Sequence, residues 1–273
     1  MIVTITSQKG GVGKTTTAVS LAHGIARSGY RTILADLDSQ AHAAISLGLD
    51  PEPGIFNHLV VGTHAAECLV ETDRPNFQLL PGNSRTKSAQ TFCQIENLGA
   101  GSLASTLKGI AADLADALIV DTAASGLFQE AAIAAADVLI IPVRLEALGL
   151  DGVAATIQAA QKLNERCQII ILPTAMDKRV KEHSYNLNLL HDAHPGLIAE
   201  PIPQRISVAE ACAEGLTIWE HPTNGAADAY QALVDRVIST ALLADESYSI
   251  SDAEAAKINE YEMWGPQGRP GGA

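Results

Sequence analysis

The sequence predicts an α/β fold, a mostly parallel, twisted sheet with helices on both faces. Short apolar runs rich in β-branched residues, which are typical of buried strands, alternate along the chain with stretches that have helical spacing. The chain of 273 residues is long enough for one large domain. Because 47% of the residues are hydrophobic and only 4% are aromatic, we expect an aliphatic, alanine-rich core.

Five segments have the clearest strand pattern, and parallel strands end at a common edge of their sheet. Ligands bind beyond the carboxyl ends of such strands, so the residues that follow each strand are candidates for a site. Between the second and third of these segments, residues 54–110 predict an inserted helical region with a turn at Gly82-Asn83-Ser84, and this region is a candidate partner-binding surface. The predicted strands are residues 2–6, 31–36, 117–121, 137–142 and 168–172.

A glycine-rich loop, QKGGVGKTT at residues 8–16, joins the first predicted strand to the first predicted helix. Glycines let backbone N–H groups curl around phosphate oxygens, and the start of the following helix favours an anion. In such a loop the ammonium of Lys14 reaches the β- and γ-phosphates, and the hydroxyl of Thr15 binds magnesium. The loop therefore predicts a site for a nucleoside triphosphate with Mg²⁺. Its predicted binding residues are Lys9, Gly10, Gly11, Val12, Gly13, Lys14, Thr15 and Thr16.

The loop departs from the standard P-loop pattern in two places. Gln8 stands where that pattern has glycine, and a second lysine, Lys9, precedes the paired glycines. With these features the loop resembles the deviant P-loop of the ParA/MinD family of dimerising ATPases, whose domain is a three-layer P-loop NTPase sandwich. The resemblance covers roughly residues 1–243 and favours the ParA branch. Its further motifs are TILADLDSQ at 32–40, ALIVDT at 117–122, DVLIIPV at 137–143, IPQRISVAEA at 202–211 and NGAA at 224–227.

The resemblance implies a magnesium-dependent ATPase that forms a homodimer with ATP held between the subunits, slow by itself and stimulated by a partner. Lys9 then crosses to the phosphates of the other subunit's nucleotide, while Lys14 contacts those of its own. Asp38 positions or deprotonates the attacking water, and Asp121 holds magnesium through a water. Asp36 supports either the magnesium shell or the loop.

The same resemblance implies what the ATP-dependent dimer acts on. In the ParA branch the ATP-bound dimer coats nucleoid DNA without sequence preference, and a ParB-like or other adaptor protein stimulates hydrolysis and release. We therefore expect an ATPase that segregates or positions DNA, from a plasmid or a chromosome, or another large cargo. The alternative is a ParA-like ATPase that localises a protein complex through a partner without binding DNA.

Sequence-independent DNA binding requires a local cluster of basic side chains. The candidate cluster is Lys178, Arg179 and Lys181, with Arg205 further along the chain. The alternative interpretation of these residues is an ordinary solvated surface. A net charge of −13 opposes approach to a polyanion, and Ser207 stands where the branch usually has another arginine.

Residues 244–273 differ in composition from residues 1–243 and are predicted to form a flexible tail outside the ATPase domain. The tail has six acidic and two basic residues and a Gly/Pro-rich end, and it is either a docking segment or solubilising charge. Its negative charge disfavours anionic membranes. Since the chain shows no long apolar run and no signal peptide, we expect a cytoplasmic protein without membrane contact, and the family resemblance implies association with the nucleoid. Its cysteines are predicted to be buried small hydrophobic side chains: Cys68, Cys93, Cys167 and Cys212.

Overall fold

Seven strands form one sheet in the computed structural model, which describes residues 1–222 and 225–241. The order across the sheet is β3-β4-β2-β5-β1-β6-β7. All neighbouring strands are parallel except β3 and β4, which are antiparallel. The strands are β1 Ile2–Ile5, β2 Thr32–Asp36, β3 Val70–Arg74, β4 Phe77–Leu80, β5 Ala117–Asp121, β6 Val138–Arg144 and β7 Gln168–Thr174.

Helices cover both faces of this sheet, which confirms the predicted three-layer α/β architecture. One face packs on α1, α2, α8 and a helix over residues 227–241, and the other packs on α3 to α7. The helices are α1 Lys14–Arg27, α2 His42–Leu47, α3 Thr86–Ile95, α4 Ala100–Leu114, α5 Leu127–Ala135, α6 Ala147–Leu163, α7 Lys181–Ala193 and α8 Ile206–Ala213. Two short turns of helix, Asn57–Val61 (π) and Ala65–Cys68 (3₁₀), precede β3.

The central strands place three chain segments at one edge of the sheet. Every residue of β1, β2 and β5 is buried, as expected for parallel strands with helices on both sides. The pairing register sets Asp121, the last residue of β5, level with Ile5 of β1 and with Asp36 of β2. The loops that follow these three strands therefore start side by side.

The five predicted strands are confirmed, with ends that shift by at most two residues. The prediction for residues 54–110 was wrong in part, because this region contains β3 and β4 as well as helices. The sequence of β3, VETDR, is too polar for a buried strand, and it forms an edge strand with exposed side chains. The sequence of β4, FQLL, is a short apolar run that periodicity cannot assign to a strand or a helix.

Three further expectations have mixed outcomes. Cys68 and Cys93 are buried as predicted, whereas Cys167 and Cys212 are only half-buried. In the described part of the chain, no helix is long and apolar enough to cross a membrane. The acidic tail and its boundary at residue 244 lie outside the described residues.

The C-terminal part of the described chain packs on α1 at a helical glycine. A Cβ on Gly24 would lie 2.6 Å from Val234 Cγ2 and 2.8 Å from the ring of Trp219. The Trp219 indole donates a hydrogen bond to the Ser20 carbonyl at 2.8 Å, and the Arg27 guanidinium lies 5.2 Å from the ring centroid. Gly24 thus lets the 227–241 helix approach α1, the helix that follows the glycine loop.

We expect Gly24→Ala to destabilise the protein by about 1–3 kcal/mol, because the added methyl overpacks a contact between two buried elements. The measurement is denaturant unfolding followed by circular dichroism. The matched control is Gly109→Ala, at an exposed position of α4 where a Cβ meets nothing within 4 Å. That change should raise stability by up to about 1 kcal/mol through helix propensity. Equal stability of the two variants would contradict the packing role of Gly24.

Candidate nucleotide-binding site

The glycine-rich loop lies between β1 and α1, in the conformation that its glycines permit. Gly11 and Gly13 have φ of 71° and 90°, values in the left-handed region that residues with a Cβ rarely adopt. The Gly13 carbonyl accepts the first hydrogen bond of α1, from the Thr17 amide at 2.9 Å. The loop therefore leads directly into a helix N-terminus, where free amides favour an anion.

Contacts with β7, within the loop and with α6 hold the glycine-rich loop in place. The Thr174 hydroxyl at the end of β7 donates to the carbonyl of Val12, whose side chain is buried, at a distance of 2.8 Å. Lys14 folds back over the loop, and its Nζ donates to the Lys9 carbonyl at 3.2 Å. The stem of Lys9 runs beside Gly152 of α6, where an added Cβ would lie 3.8 Å from the Lys9 Cγ. Both predicted phosphate lysines therefore sit at the loop.

Asp121 and Thr15 form the polar centre of the site. The Thr15 hydroxyl donates to Asp121 Oδ2 at 2.5 Å, while the fully buried Oδ1 has no hydrogen-bond partner. Burial raises the pKa of Asp121 to about 7, against the opposing effects of the Thr15 hydrogen bond and the Lys14 charge. A buried carboxylate oxygen without a partner is costly unless a cation compensates it. The pair therefore fits a Mg²⁺ ion, whose preferred ligands are oxygens.

Asp36 is buried beside this centre and bonds to the loop that follows it. Its Oδ1 accepts from the Asp38 amide at 2.8 Å, and its Oδ2 accepts from the Ala43 amide at 3.2 Å. Burial first, and then the Asp121 carboxylate, raise its pKa well above the usual range. Of the two roles open for Asp36, these bonds favour support of the loop. A direct bond from Asp36 to magnesium stays a prediction.

Asp38 lies just beyond the carboxyl end of β2, at the same sheet edge as the glycine loop. Its side chain is half-buried, and its Oδ1 accepts from the Gln40 amide at 3.1 Å. The Leu37 amide donates to the Asp121 carbonyl at 2.9 Å, so the start of this loop is tied to β5. The structure thus brings Asp36, Asp38 and Asp121 together, as expected for residues at the carboxyl ends of parallel strands.

A groove of about 140 Å³ opens next to the glycine loop, and most of its outer wall carries no sequence motif. Gly11, Gly13 and Thr16 form one side. For the opposite side the sequence offers only the family resemblance of residues 202–211, of which Arg205 alone has a predicted role, in DNA binding. The remaining lining residues include Arg144, Thr174, Pro203, Gln204, Arg205, Val208 and Tyr230.

The candidate DNA-binding residues lie between β7 and the start of α7 and just before α8, at this same edge. The Gln204 amide donates to the Met176 carbonyl at 2.9 Å, which joins the loop of Arg205 to the loop after β7. Lys178, Arg179, Lys181 and Arg205 are exposed. Arg179 is also bound by Asp177, with Nη2 and Oδ2 2.7 Å apart, and these bonds lower the pKa of Asp177 to about 2. Ser207 is buried in α8, so it does not contribute to this surface.

The fold and the loop define a P-loop nucleotide-binding protein, and comparison with known proteins identifies the family. A family model described as an AAA domain matches residues 1–171. The chromosome-partitioning ATPase Soj of Thermus thermophilus is 34% identical over 247 residues, which cover 87% of this chain and 95% of Soj. The cell division protein PomZ of Myxococcus xanthus is 29% identical over 242 residues, covering 84% and 75% of the two chains.

A solved structure agrees with this assignment at the level of the fold. McdA from Cyanothece, in a complex with ATP, superposes with a TM-score of 0.77 at 22% identity and covers 88% of this chain and 95% of McdA. The chain belongs to the ParA/MinD family of P-loop ATPases.

We expect Asp121→Asn to have opposite effects on stability and on the use of magnesium. In magnesium-free buffer at pH 8 the variant should melt at a higher temperature than the wild type, because it removes a buried charge next to Asp36. Adding magnesium should increase the ATP affinity of the wild type, and in the variant this increase should be about 10–100-fold smaller.

The measurements are thermal unfolding and titration of ATP with and without Mg²⁺. Asp116→Asn is the matched control, since Asp116 is an exposed aspartate that pairs with Arg31 just before β5. An Asp121→Asn protein with wild-type magnesium dependence would contradict the metal assignment.

Proposed function

We propose that this protein is an ATP-dependent, dimerising switch ATPase that segregates or positions DNA or another large cargo, with nonspecific DNA as its track. The observation that supports binding of ATP with magnesium is the Thr15–Asp121 pair, in which Asp121 Oδ1 is buried without a partner, directly beside a glycine loop at a helix N-terminus. Family membership and the name of the Soj relative, a chromosome-partitioning ATPase, support the role in positioning DNA or another cargo.

The residues of the site have separate roles in phosphoryl transfer, which depends mainly on positioning and charge stabilisation. The amides of the glycine loop and the ammonium of Lys14 bind the phosphates. Thr15 and Asp121 hold Mg²⁺, which neutralises charge on the phosphate oxygens when bound. Asp38 orients the attacking water and accepts its proton. The groove lined by Pro203 and Gln204 opens beside the glycine loop and would receive the nucleoside part of ATP.

The dimer would use Lys9 and Gly10, at the outer turn of the loop. In this proposal Lys9 leaves its position beside Gly152 and reaches the phosphates bound by the other subunit, where its charge strengthens the interaction with ATP. Gly10 is exposed and has no atom within 4 Å of an added Cβ, so the protomer itself leaves this position open. A second subunit that approached the loop closely would fill that space.

We therefore expect Gly10→Val to bind ATP with about wild-type affinity and to remain monomeric in ATP and Mg²⁺. Because a Cβ at this position meets no atom of its own protomer within 4 Å, we attribute a loss of dimers to contact with a partner subunit. Size-exclusion chromatography with light scattering measures the mass. Gly101→Val, at an equally open position on α4, is the control and should dimerise like the wild type. A Gly10→Val dimer in ATP would contradict the proposed interface.

The DNA track would contact the surface of Lys178, Lys181 and Arg205, next to the nucleotide groove. Two observations favour a role in binding a polyanion. First, Lys178, Lys181 and Arg205 are exposed, on two segments that are joined by the Met176–Gln204 hydrogen bond. Second, Arg205 also lines the groove. A change at the nucleotide would therefore act within a few residues of the DNA surface.

We expect the double variant Lys178→Ala, Lys181→Ala to lose binding to random-sequence duplex DNA in the ATP state. The slope of log affinity against log salt should fall by about one for each lysine that contacts a phosphate. Fluorescence anisotropy with ATP, with ADP and without nucleotide, over a series of salt concentrations, measures this. Lys108→Ala on α4 is the control and should bind like the wild type. Equal salt slopes for the double variant and the wild type would exclude this surface.

The second candidate function is an ATPase that localises a protein complex through a partner without binding DNA. The net charge of −13 and the pairing of Arg179 with Asp177 favour it, because both reduce the attraction of this surface for a polyanion. The PomZ relative is named as a cell division protein. ATP-driven dimers that bind no DNA in any nucleotide state would support this function over the first.

A further inference from the structure

The turn Pro81-Gly82-Asn83, which follows β4, packs against the backbone of the loop that carries Asp38. A Cβ on Gly82 would overlap the carbonyl oxygen of Asp38 and would lie 2.7 Å from that of Asp36. It would also lie 3.2 Å from the Asp36 carboxyl carbon. The nearest atoms belong to the backbone, so they cannot move aside as the end of a long side chain can. Gly82 therefore has no room for even a methyl group on the side facing Asp38.

The turn is also held from its opposite side, so it cannot retreat. A Cβ on Gly54 would overlap the Pro81 carbonyl oxygen, and that oxygen accepts from the Ile55 amide at 2.9 Å. The buried Asn83 side chain donates to the Pro51 carbonyl at 3.0 Å. The turn is thus enclosed between residues 51–55 and the Asp36–Asp38 backbone.

Space, rather than an unusual backbone conformation, accounts for glycine at this position. The φ angle of Gly82 lies outside the left-handed region, unlike those of Gly11 and Gly13. An alanine there would not be forced into that region, and its added methyl would press on the carbonyl oxygens of Asp36 and Asp38 and on the Asp36 carboxyl group. Because Asp36 Oδ1 accepts from the Asp38 amide at 2.8 Å, a shift of either residue would displace the Asp38 loop.

We propose that Gly82 is a positioning residue for Asp38. The bare Cα lets the turn after β4 lie against the Asp36–Asp38 backbone, and this contact sets where the Asp38 carboxylate stands relative to the phosphate site. The inference rests on the proposed role of Asp38 in orienting the attacking water. It adds a third loop, from β4, to the loops of β2 and β5 that form the site.

The test is Gly82→Ala, compared with the wild type for steady-state ATP hydrolysis and for nucleotide binding. We expect kcat to fall by about 10–100-fold, since a displacement of about 1 Å at a reacting group costs this much. The KM for MgATP and the affinity for ADP should stay within about threefold, because the atoms nearest the added methyl belong to Asp36 and Asp38 and not to the glycine loop, Thr15 or Asp121. Gly99→Ala, a loop glycine with φ of −79° and open space around its Cβ position, is the control and should keep full activity.

Asp38→Ala is measured in parallel, so that failure of this inference differs from failure of the proposed function. Full turnover in Asp38→Ala would refute the role of Asp38 itself. An inactive Asp38→Ala protein together with wild-type kcat in Gly82→Ala would overturn the positioning role. A folded Gly82→Ala protein that loses ADP affinity in proportion to kcat would also overturn it, because that result indicates general damage to the site.

Asn83→Ala provides a second route if Gly82→Ala does not fold. It removes the hydrogen bond to the Pro51 carbonyl and the one from the Arg85 amide without adding an atom, so the turn loosens while the Asp36–Asp38 backbone meets no new contact. We expect kcat to fall by about three- to tenfold with nucleotide affinity retained, a smaller displacement than in the alanine variant of Gly82. Unchanged kcat in a folded Asn83→Ala protein would overturn the inference by itself.

Discussion

The site depends on the parallel pairing of β5 with both β1 and β2. This pairing sets Asp121 level with Ile5 and Asp36, so the glycine loop, the Asp38 loop and the Asp121 carboxylate all begin at one height on the sheet edge. Two hydrogen bonds at this height stabilise the register. The Leu37 amide donates to the Asp121 carbonyl, and the Thr122 hydroxyl donates to the Ile5 carbonyl. A slip of one residue in either pair would separate the groups that must act together.

This arrangement costs stability in the absence of a ligand. Asp36 and Asp121 are both buried, burial raises the pKa of each, and the Asp121 charge raises the pKa of Asp36 further. Backbone amides donate to both carboxylate oxygens of Asp36, whereas Asp121 Oδ1 has no hydrogen-bond partner. A cation bound next to the Asp121 carboxylate would offset this cost, as active sites commonly trade stability for function.

The strand β7 connects the nucleotide site to the candidate DNA surface. Thr174, its last residue, bonds to the glycine loop, and Met176, two residues later, bonds to the loop of Arg205. Opposite them, the turn after β4 supports the Asp38 loop through Gly82. Elements on both sides of the three central strands thus contact the candidate site.

The sequence by itself determined the five core strands, the glycine loop and the three aspartates that meet at its edge. These features follow from local chemistry. Buried parallel strands are continuous apolar runs, and the glycines and carboxylates that follow each run can be recognised directly in the sequence. Only the tertiary structure decided that β3 and β4 extend the sheet, that Arg179 is paired with Asp177, and that Gly82 abuts Asp38. Each of these depends on contacts between segments distant in the chain or on side-chain geometry, which hydrophobic periodicity and motif spacing do not encode.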